Sequence, residues 1–185
     1  FLESKIIVKE IRSQLRKMSG RFQKKLNKKN LSEEELLKSH FSTAERLVFY
    51  SELKKIIKKI KPKSILDLGC GINPLVLSSE SEEYYACDIN EKELEIVKEH
   101  FKKNKIKGTT FICDLRNTNQ DFPNADLCII LKVLDILPDN RRITEKILKK
   151  INCKNFIISF STKKLSGKKM NHPQREWFEK VLKKL

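Results

Sequence analysis

The stretch Ile65-Leu66-Asp67-Leu68-Gly69-Cys70-Gly71 decides the fold of this chain. Its apolar residues are typical of a buried strand, and the two glycines permit the tight turn that ends the first strand of a Rossmann-like sheet. The third glycine of a dinucleotide fingerprint would stand where the chain has Pro74, which weighs against a nicotinamide-dependent enzyme. A carboxylate at Asp67 would repel a pyrophosphate and suits a ligand with a cationic amino group.

Downstream of this stretch, short apolar runs alternate with helical stretches. This alternation predicts parallel strands in a doubly wound α/β sheet with helices on both faces. Because the runs are apolar throughout, they predict strands buried on both faces. The predicted strands are Ser64–Leu68, Glu83–Asp88, Thr109–Cys113, Asp126–Leu131 and Asn155–Phe160, and the predicted helices span 74–80, 91–103 and 140–151.

Upstream of Ser64 the pattern is helical and basic. Apolar residues at helical spacing predict an amphipathic helix over 5–18. Ser32 followed by Glu35 indicates a capping box, and a further helix is predicted from Thr43 to Ile60, ended by Pro62. We therefore expect a basic helical N-terminal extension that binds RNA, residues 1–61, and a ligand-binding domain, residues 62–185.

The charge of the chain is concentrated at its two ends. The 185 residues carry a formal net charge of +16. Residues 1–61 contribute +10, residues 62–161 are neutral, and residues 162–185 contribute +6. A neutral core between basic ends favours a polyanionic partner such as RNA. A lysine-rich composition without functional meaning is the alternative, and it predicts an even spread of charge.

Several classes of protein are disfavoured by composition. No apolar run approaches the length of a transmembrane helix, and the first residues lack the features of a secretory signal. The five cysteines contain no Cys-x-x-Cys pair, which argues against a zinc ribbon or a disulfide scaffold and for small apolar filler residues. We expect a cytoplasmic protein without a metal site.

Acidic residues at the ends of three predicted strands resemble the ligand site of class I S-adenosylmethionine-dependent methyltransferases. Asp88 ends the second strand, where a carboxylate accepts hydrogen bonds from ribose hydroxyls, and Asp114 follows the third, within reach of an adenine amino group. The resemblance implies S-adenosylmethionine as cofactor. The positions implied to bind it are Asp67, Gly69, Gly71, Asp88, Ile89, Asp114 and Leu115.

Further segments are similar, in order, to the aminoglycoside-resistance methyltransferases that modify guanine N-7 in small-subunit (16S) rRNA. Departures such as Ala44, in place of an arginine, leave the target nucleotide open. The similar segments are His40-Phe41-Ser42-Thr43-Ala44-Glu45-Arg46-Leu47, Gly71-Ile72-Asn73-Pro74, Ile130-Leu131-Lys132-Val133-Leu134, Ser159-Phe160-Ser161-Thr162-Lys163-Lys164-Leu165-Ser166-Gly167-Lys168 and Trp177-Phe178-Glu179.

This resemblance implies roles for charged residues outside the cofactor positions. Arg46 would pair with the methionine carboxylate, although it can equally pair with a neighbouring glutamate. Lys132, at the end of a buried strand, would face the target base or a phosphate, the alternative being a side chain that reaches solvent. His40 would orient its segment or touch RNA, or else cap a helix. The residues implied to grip RNA phosphates, or else to lie in a solvated loop, are Lys163, Lys164, Lys168, Lys169 and Arg175.

The chemistry implied for the enzyme is methyl transfer to a ring nitrogen. Guanine N-7 carries a free lone pair and needs no general base, which fits a chain without a convincing Ser-His-Asp or Cys-His set. Methylation of a tRNA or of a cytosine, a small-molecule methyltransferase and a non-catalytic RNA-binding module are the alternatives. We expect the substrate to be rRNA or the small ribosomal subunit, and the enzyme to be a monomer.

Overall fold

The computed structural model describes residues 32, 35–37, 47–162 and 174–185. The chain divides into two compact units, Phe1–Leu53 and Lys54–Leu185. No helix within these described ranges is long and apolar enough to cross a membrane.

In the first unit the predicted capping box at Ser32 is confirmed. The Ser32 backbone N–H donates to Glu35 Oε2 over 2.8 Å, and the Glu35 N–H donates to Ser32 Oγ over 3.3 Å. The helix predicted over 5–18 lies outside the described residues, as do residues 43–46 of the next one. Over the described part of the helix predicted from Thr43 to Ile60, the structure has a 3₁₀ turn, Leu47–Phe49, followed by helix α1, Tyr50–Ile60.

The part of the second unit that the structure describes contains five strands and four further helices, close to the predicted positions. The strands are β1 (Ser64–Leu68), β2 (Glu83–Asp88), β3 (Gly108–Ile112), β4 (Ala125–Leu131) and β5 (Cys153–Ser159). The helices are α2 (Pro74–Leu77), α3 (Glu91–Lys103), α4 (Asn140–Lys150) and α5 (Glu176–Leu182), with 3₁₀ turns at Ser78–Glu80 and Leu134–Ile136. The fifth strand begins two residues earlier than predicted, because its first residues pair with β4 despite their polar side chains.

The strands form one parallel sheet in the order β3-β2-β1-β4-β5. The chain moves outward from β1 to β3 and then returns to build the other half from β4. The order therefore reverses between β1 and β4, and parallel sheets bind ligands at such a reversal, beyond the carboxyl ends of the strands. The predicted Rossmann-like α/β sheet is confirmed. We call the line of strand ends from Leu68 to Ser159 the carboxyl edge.

The prediction that all strands are buried on both faces is correct only for the centre of the sheet. Ile65, Leu66 and Leu68 of β1 are fully buried, and so are the middle residues of β4. The edge strands β3 and β5 are largely half-buried or exposed, with Phe156 38% exposed. An edge strand has a neighbour on one side only, so its apolar sequence does not guarantee burial.

Aromatic residues fix two helices to this sheet. Phe101 of α3 packs beside Tyr84, with ring centroids 6.0 Å apart, and leaves no room for a Cβ at Gly108. In α5, Trp177 and Phe178 pack edge-on against Phe160. Trp177 is partly buried and packs against the hydrophobic core, so it anchors the last helix.

Candidate active site at the carboxyl edge

The turn after β1 depends on its two glycines. Gly69 has φ +66° and Gly71 has φ +52°, a left-handed conformation that other residues adopt at a cost. The Cys70 N–H donates to the Cys87 carbonyl over 2.9 Å, which ties the turn to β2. A Cβ at position 69 would lie 2.6 Å from Val133 Cγ2. The turn is thus packed directly against the segment that follows β4.

Asp88 joins this turn to the end of β2. Its Oδ2 accepts a hydrogen bond from the Gly71 N–H over 2.8 Å, and its Oδ1 accepts one from the Asn90 N–H over 2.9 Å. Burial raises the pKa of the Asp88 carboxyl, and these backbone hydrogen bonds oppose the shift only in part. Each oxygen has a second lone pair. The carboxylate is therefore fixed in position and can accept hydrogen bonds from a diol.

Asp67 lies within β1, and its side chain is fully buried. The Tyr84 hydroxyl donates to Asp67 Oδ2 over 2.8 Å, so a side chain of β2 holds this carboxylate. Direct contact between Asp67 and a ligand amino group stays a prediction. Sequence reasoning did not identify Tyr84, because its apolar neighbours suggested only a core residue.

Asp114, just beyond β3, has a partner that sequence reasoning also missed. Arg116 donates to Asp114 Oδ1 through Nε over 2.8 Å and to Oδ2 through Nη2 over 2.5 Å. This guanidinium lowers the pKa of Asp114. The intervening Leu115 is buried in the hydrophobic core, so it stabilises the loop from below. The two residues are only two positions apart in the sequence, and this spacing could have indicated their ion pair.

Apolar side chains are exposed beside these carboxylates. Ile89, directly after β2, is 48% exposed, and Ile112, which pairs with Asp88 in the β2–β3 register, is 57% exposed. Apolar area next to hydrogen-bonding groups is what a planar heterocycle attached to a sugar requires. The β1–β3 half of the edge, defined as Gly69–Gly71, Asp88–Asn90 and Cys113–Arg116, therefore has the chemistry of a nucleoside site.

The β4–β5 half of the edge consists of residues 132–136, 159–162 and 174–177, and it contains Lys132. This lysine is the first residue after β4, is half-buried, and has φ +58°. Its N–H donates to the Ser159 carbonyl over 2.9 Å. A left-handed conformation at a lysine costs about 1–2 kcal/mol, and such strain often accompanies function.

Arg175 is engaged inside the protein. Its Nη2 donates to Asp135 Oδ2 and to the Ser161 carbonyl, each over 2.7 Å, and its Nε lies 3.0 Å from Asp135 Oδ1. The Arg175 side chain is 9% exposed. This bonding favours an internal role over the predicted phosphate contact. The other predicted contacts, His40, Arg46, Lys163, Lys164, Lys168 and Lys169, lie outside the described residues.

Other kinds of catalytic site find little support. Across the ranges that the structure describes, no group of three or more His, Cys, Asp or Glu is arranged to hold a metal ion. Burial raises the pKa of the Cys128 thiol, which disfavours the thiolate that a cytosine C-5 methyltransferase needs.

The fold and the strand-end carboxylates are those of the Rossmann-like class of α/β domains. Comparison with known families identifies the group: the chain belongs to the FmrO family of ribosomal RNA methyltransferases, whose model matches residues 27–184.

Individual relatives are consistent with this family. A 16S rRNA (guanine(1405)-N(7))-methyltransferase of Serratia marcescens is 29% identical over 148 residues, which are 77% of this chain and 59% of that protein. The solved structure of the 16S rRNA methylase ArmA is 30% identical with a TM-score of 0.57, covering 83% of this chain and 81% of that one. The methyltransferase RmtF shares the fold, with 23% identity, a TM-score of 0.77 and coverage of 94% and 74%. The chain therefore spans about three fifths of the Serratia relative.

Proposed function

We propose that this chain binds S-adenosylmethionine and transfers its methyl group to a base in small-subunit ribosomal RNA, at a ring nitrogen such as guanine N-7. The observation that carries the proposal is the hydrogen bond from the Gly71 N–H to Asp88 Oδ2. It holds the glycine turn and the acidic end of β2 together as one preformed nucleoside-binding unit. The family membership, and the complex of RmtF with S-adenosyl-L-homocysteine, support this cofactor.

The residues of the β1–β3 half fit the parts of this cofactor. Asp88 would accept the ribose hydroxyls, and Gly69 and Gly71 allow the backbone to approach the amino-acid part. Ile89 would offer apolar contact to the adenine, and Asp114 would accept a hydrogen bond from the adenine amino group. Asp67, which the Tyr84 hydroxyl holds, would contact the amino group of the cofactor, and we expect Arg46 to pair with its carboxylate.

Methyl transfer to guanine N-7 makes few demands on catalytic side chains. The bound cofactor supplies an electrophilic methyl group, and N-7 supplies its own lone pair. The protein must hold the two in line and provide a suitable field. Lys132, at the β4 end of the edge, is the residue we assign to the target base or an adjoining phosphate, which suits a reaction without a general base.

The basic ends of the chain are assigned to the RNA. Residues 1–61 would form the RNA-binding extension, and Lys163, Lys164, Lys168 and Lys169 would contact phosphates. We expect His40 to contact the RNA or to orient its own segment. The named relatives are 16S rRNA enzymes, which favours the small subunit over tRNA. An rRNA substrate would place the protein in the cytoplasm, and we expect it to act as a monomer.

Two measurements test this function. Titration calorimetry with S-adenosylmethionine and S-adenosylhomocysteine should show binding that Asp88→Ala abolishes. Tritium transfer from labelled cofactor should then label small subunits or naked 16S rRNA, but not tRNA. Transfer to tRNA alone would replace the proposed substrate, and RNA binding without cofactor binding would make the chain a non-catalytic module.

A further inference from the structure

We propose that Arg175 and Asp135 are positioning residues that hold the segment Lys132–Ile136 in place for the RNA substrate. This inference rests on the proposed function and goes beyond it, since it replaces a phosphate contact by an internal one. The two residues are 40 positions apart in sequence, and their ion pair joins the 3₁₀ turn after β4 to the start of α5.

The guanidinium of Arg175 is held on several sides. It forms a forked ion pair with Asp135, donates to the Ser161 carbonyl, and lies 5.5 Å from the ring centroid of Phe160. Phe160 in turn packs on Trp177 and Phe178. Three chain segments, those at 135, 160–161 and 175–178, thus meet at one side chain.

The segment that contains Asp135 also contacts the glycine turn and begins at Lys132. Asp135 lies in the turn Leu134–Ile136, and the preceding Val133 fills the space beside Gly69. Lys132, one residue earlier, has a strained backbone that the bond to the Ser159 carbonyl helps to hold. The Arg175–Asp135 pair therefore fixes the far end of the short segment whose near end is Lys132.

Stability alone is a weak reason for such a pair. The side chains of Arg175 and Asp135 are 9% and 18% exposed, so both charges lose most of their hydration. Apolar residues of similar volume often stabilise a fold as well or better, whereas a forked ion pair fixes direction as well as distance. The geometry points to orientation of the segment as the role of the pair.

The test compares Asp135→Asn and Arg175→Lys with the wild-type chain. Each variant keeps much of the packing but loses the forked geometry. We expect the kcat of RNA methylation to fall at least about 10-fold, which corresponds to roughly 1.4 kcal/mol. The Kd for S-adenosylhomocysteine should change less than about 2-fold, because the β1–β3 half is untouched. The double variant Asp135→Arg with Arg175→Asp exchanges the two charges, and we expect it to recover part of the activity that the single variants lose.

A matched control comes from α4. Lys149→Gln removes an exposed ion pair with Glu145, 2.8 Å long, on the same helix layer. It should leave kcat, Kd and the unfolding midpoint nearly unchanged. All assays are made below the unfolding midpoint of each variant. Wild-type kcat in both positioning variants would overturn the inference, and so would parallel losses of cofactor affinity and kcat.

If the wild-type chain transfers no tritium to RNA, that result counts against the proposed function and not against this inference. Amide hydrogen exchange then tests the inference without an activity assay. Asp135→Asn should accelerate exchange in peptides that contain residues 132–137 and leave those from 83–103 unchanged. Unchanged exchange at 132–137 would overturn the positioning role.

Discussion

The two halves of the carboxyl edge are built on opposite principles. In the β1–β3 half, carboxylates accept hydrogen bonds from backbone N–H groups and side chains that lie near them in the sheet, as Asp88 does from Gly71 and Asn90. In the β4–β5 half, the key ion pair joins Arg175 to Asp135, residues 40 positions apart. In the proposed function, one half would accept a cationic, sugar-containing cofactor, and the other would face an anionic polymer.

Because the two halves are built differently, we expect substitutions in one half to impair a different step from substitutions in the other. Variants of the β1–β3 half should weaken cofactor binding, and RNA methylation only as a consequence. Variants of the β4–β5 half should reduce methylation while the cofactor still binds. Val133 against Gly69 is the contact that links the halves.

The largest effect is expected from Gly69→Ala. A side chain there meets Val133 Cγ2 at 2.6 Å and must adopt φ +66°, which alone costs about 1–2 kcal/mol. We expect affinity for S-adenosylhomocysteine to fall roughly 100-fold or more in calorimetry, because turn and segment must both shift.

Gly108→Ala is the matched control. The added Cβ would lie 2.3 Å from Phe101 Cδ2, but Gly108 begins β3 and therefore lies at the end of the strand away from the carboxyl edge. This variant should lower the free energy of unfolding and leave the affinity of the folded protein intact. Equal affinity losses in both variants would show general destabilisation.

Next in size is Asp88→Asn. The amide oxygen can still accept one of the two backbone N–H groups, but without charge assistance, and the other bond is lost because the amide NH₂ cannot accept. Each charge-assisted bond contributes about 1.5–3 kcal/mol. Cofactor affinity should fall roughly 10–100-fold. Binding of 16S rRNA in a filter assay should stay near the wild-type value, and a loss of RNA binding would contradict the separation of the halves.

The pH dependence of cofactor binding also tests whether Asp88 binds the cofactor. The raised pKa of Asp88 means that its carboxyl takes up a proton at a higher pH than the ordinary value of 3.8. Affinity should therefore fall on acidification through that raised pKa, since the protonated group is a poorer acceptor for ribose. Titrations of Asp88→Asn should lack this fall, and an identical pH profile would assign it to another group.

A smaller effect is expected from Lys132→Ala, on the other half. Loss of one cationic contact to the base or a phosphate should reduce kcat/KM for small subunits about 10-fold, with the Kd for cofactor unchanged. Lys132→Gly separates the side chain from the backbone, because glycine adopts φ +58° without strain. Wild-type activity in Lys132→Gly would show that the amine has no role.

The smallest effect is expected from Arg116→Gln. The Arg116–Asp114 pair is about two-fifths exposed on both sides, so solvent screens it. The pKa of Asp114 should rise toward its ordinary value, and cofactor affinity should change less than about 5-fold at neutral pH. A loss as large as that of Asp88→Asn would place Arg116 in the cofactor site itself.

Local pattern was sufficient for the elements of the sheet. The bounds of β1, β2 and α3 agree with prediction, because each combines a clear apolar period with a strong end signal such as Gly69 or Asn90. The boundaries of β3 and β5 were less accurate, since edge strands carry polar and apolar residues with little burial to separate them.

The sequence by itself determined the class of sheet, the glycine turn and the acidic strand ends, because these depend on residue types within a few positions of one another. The tertiary structure alone decided that Tyr84 holds Asp67, that Val133 covers Gly69, and that Arg175 bonds to Asp135. Each of these contacts joins segments that lie well apart along the chain. Their partners are selected by the strand order and register, which bring together residues that no local spacing relates.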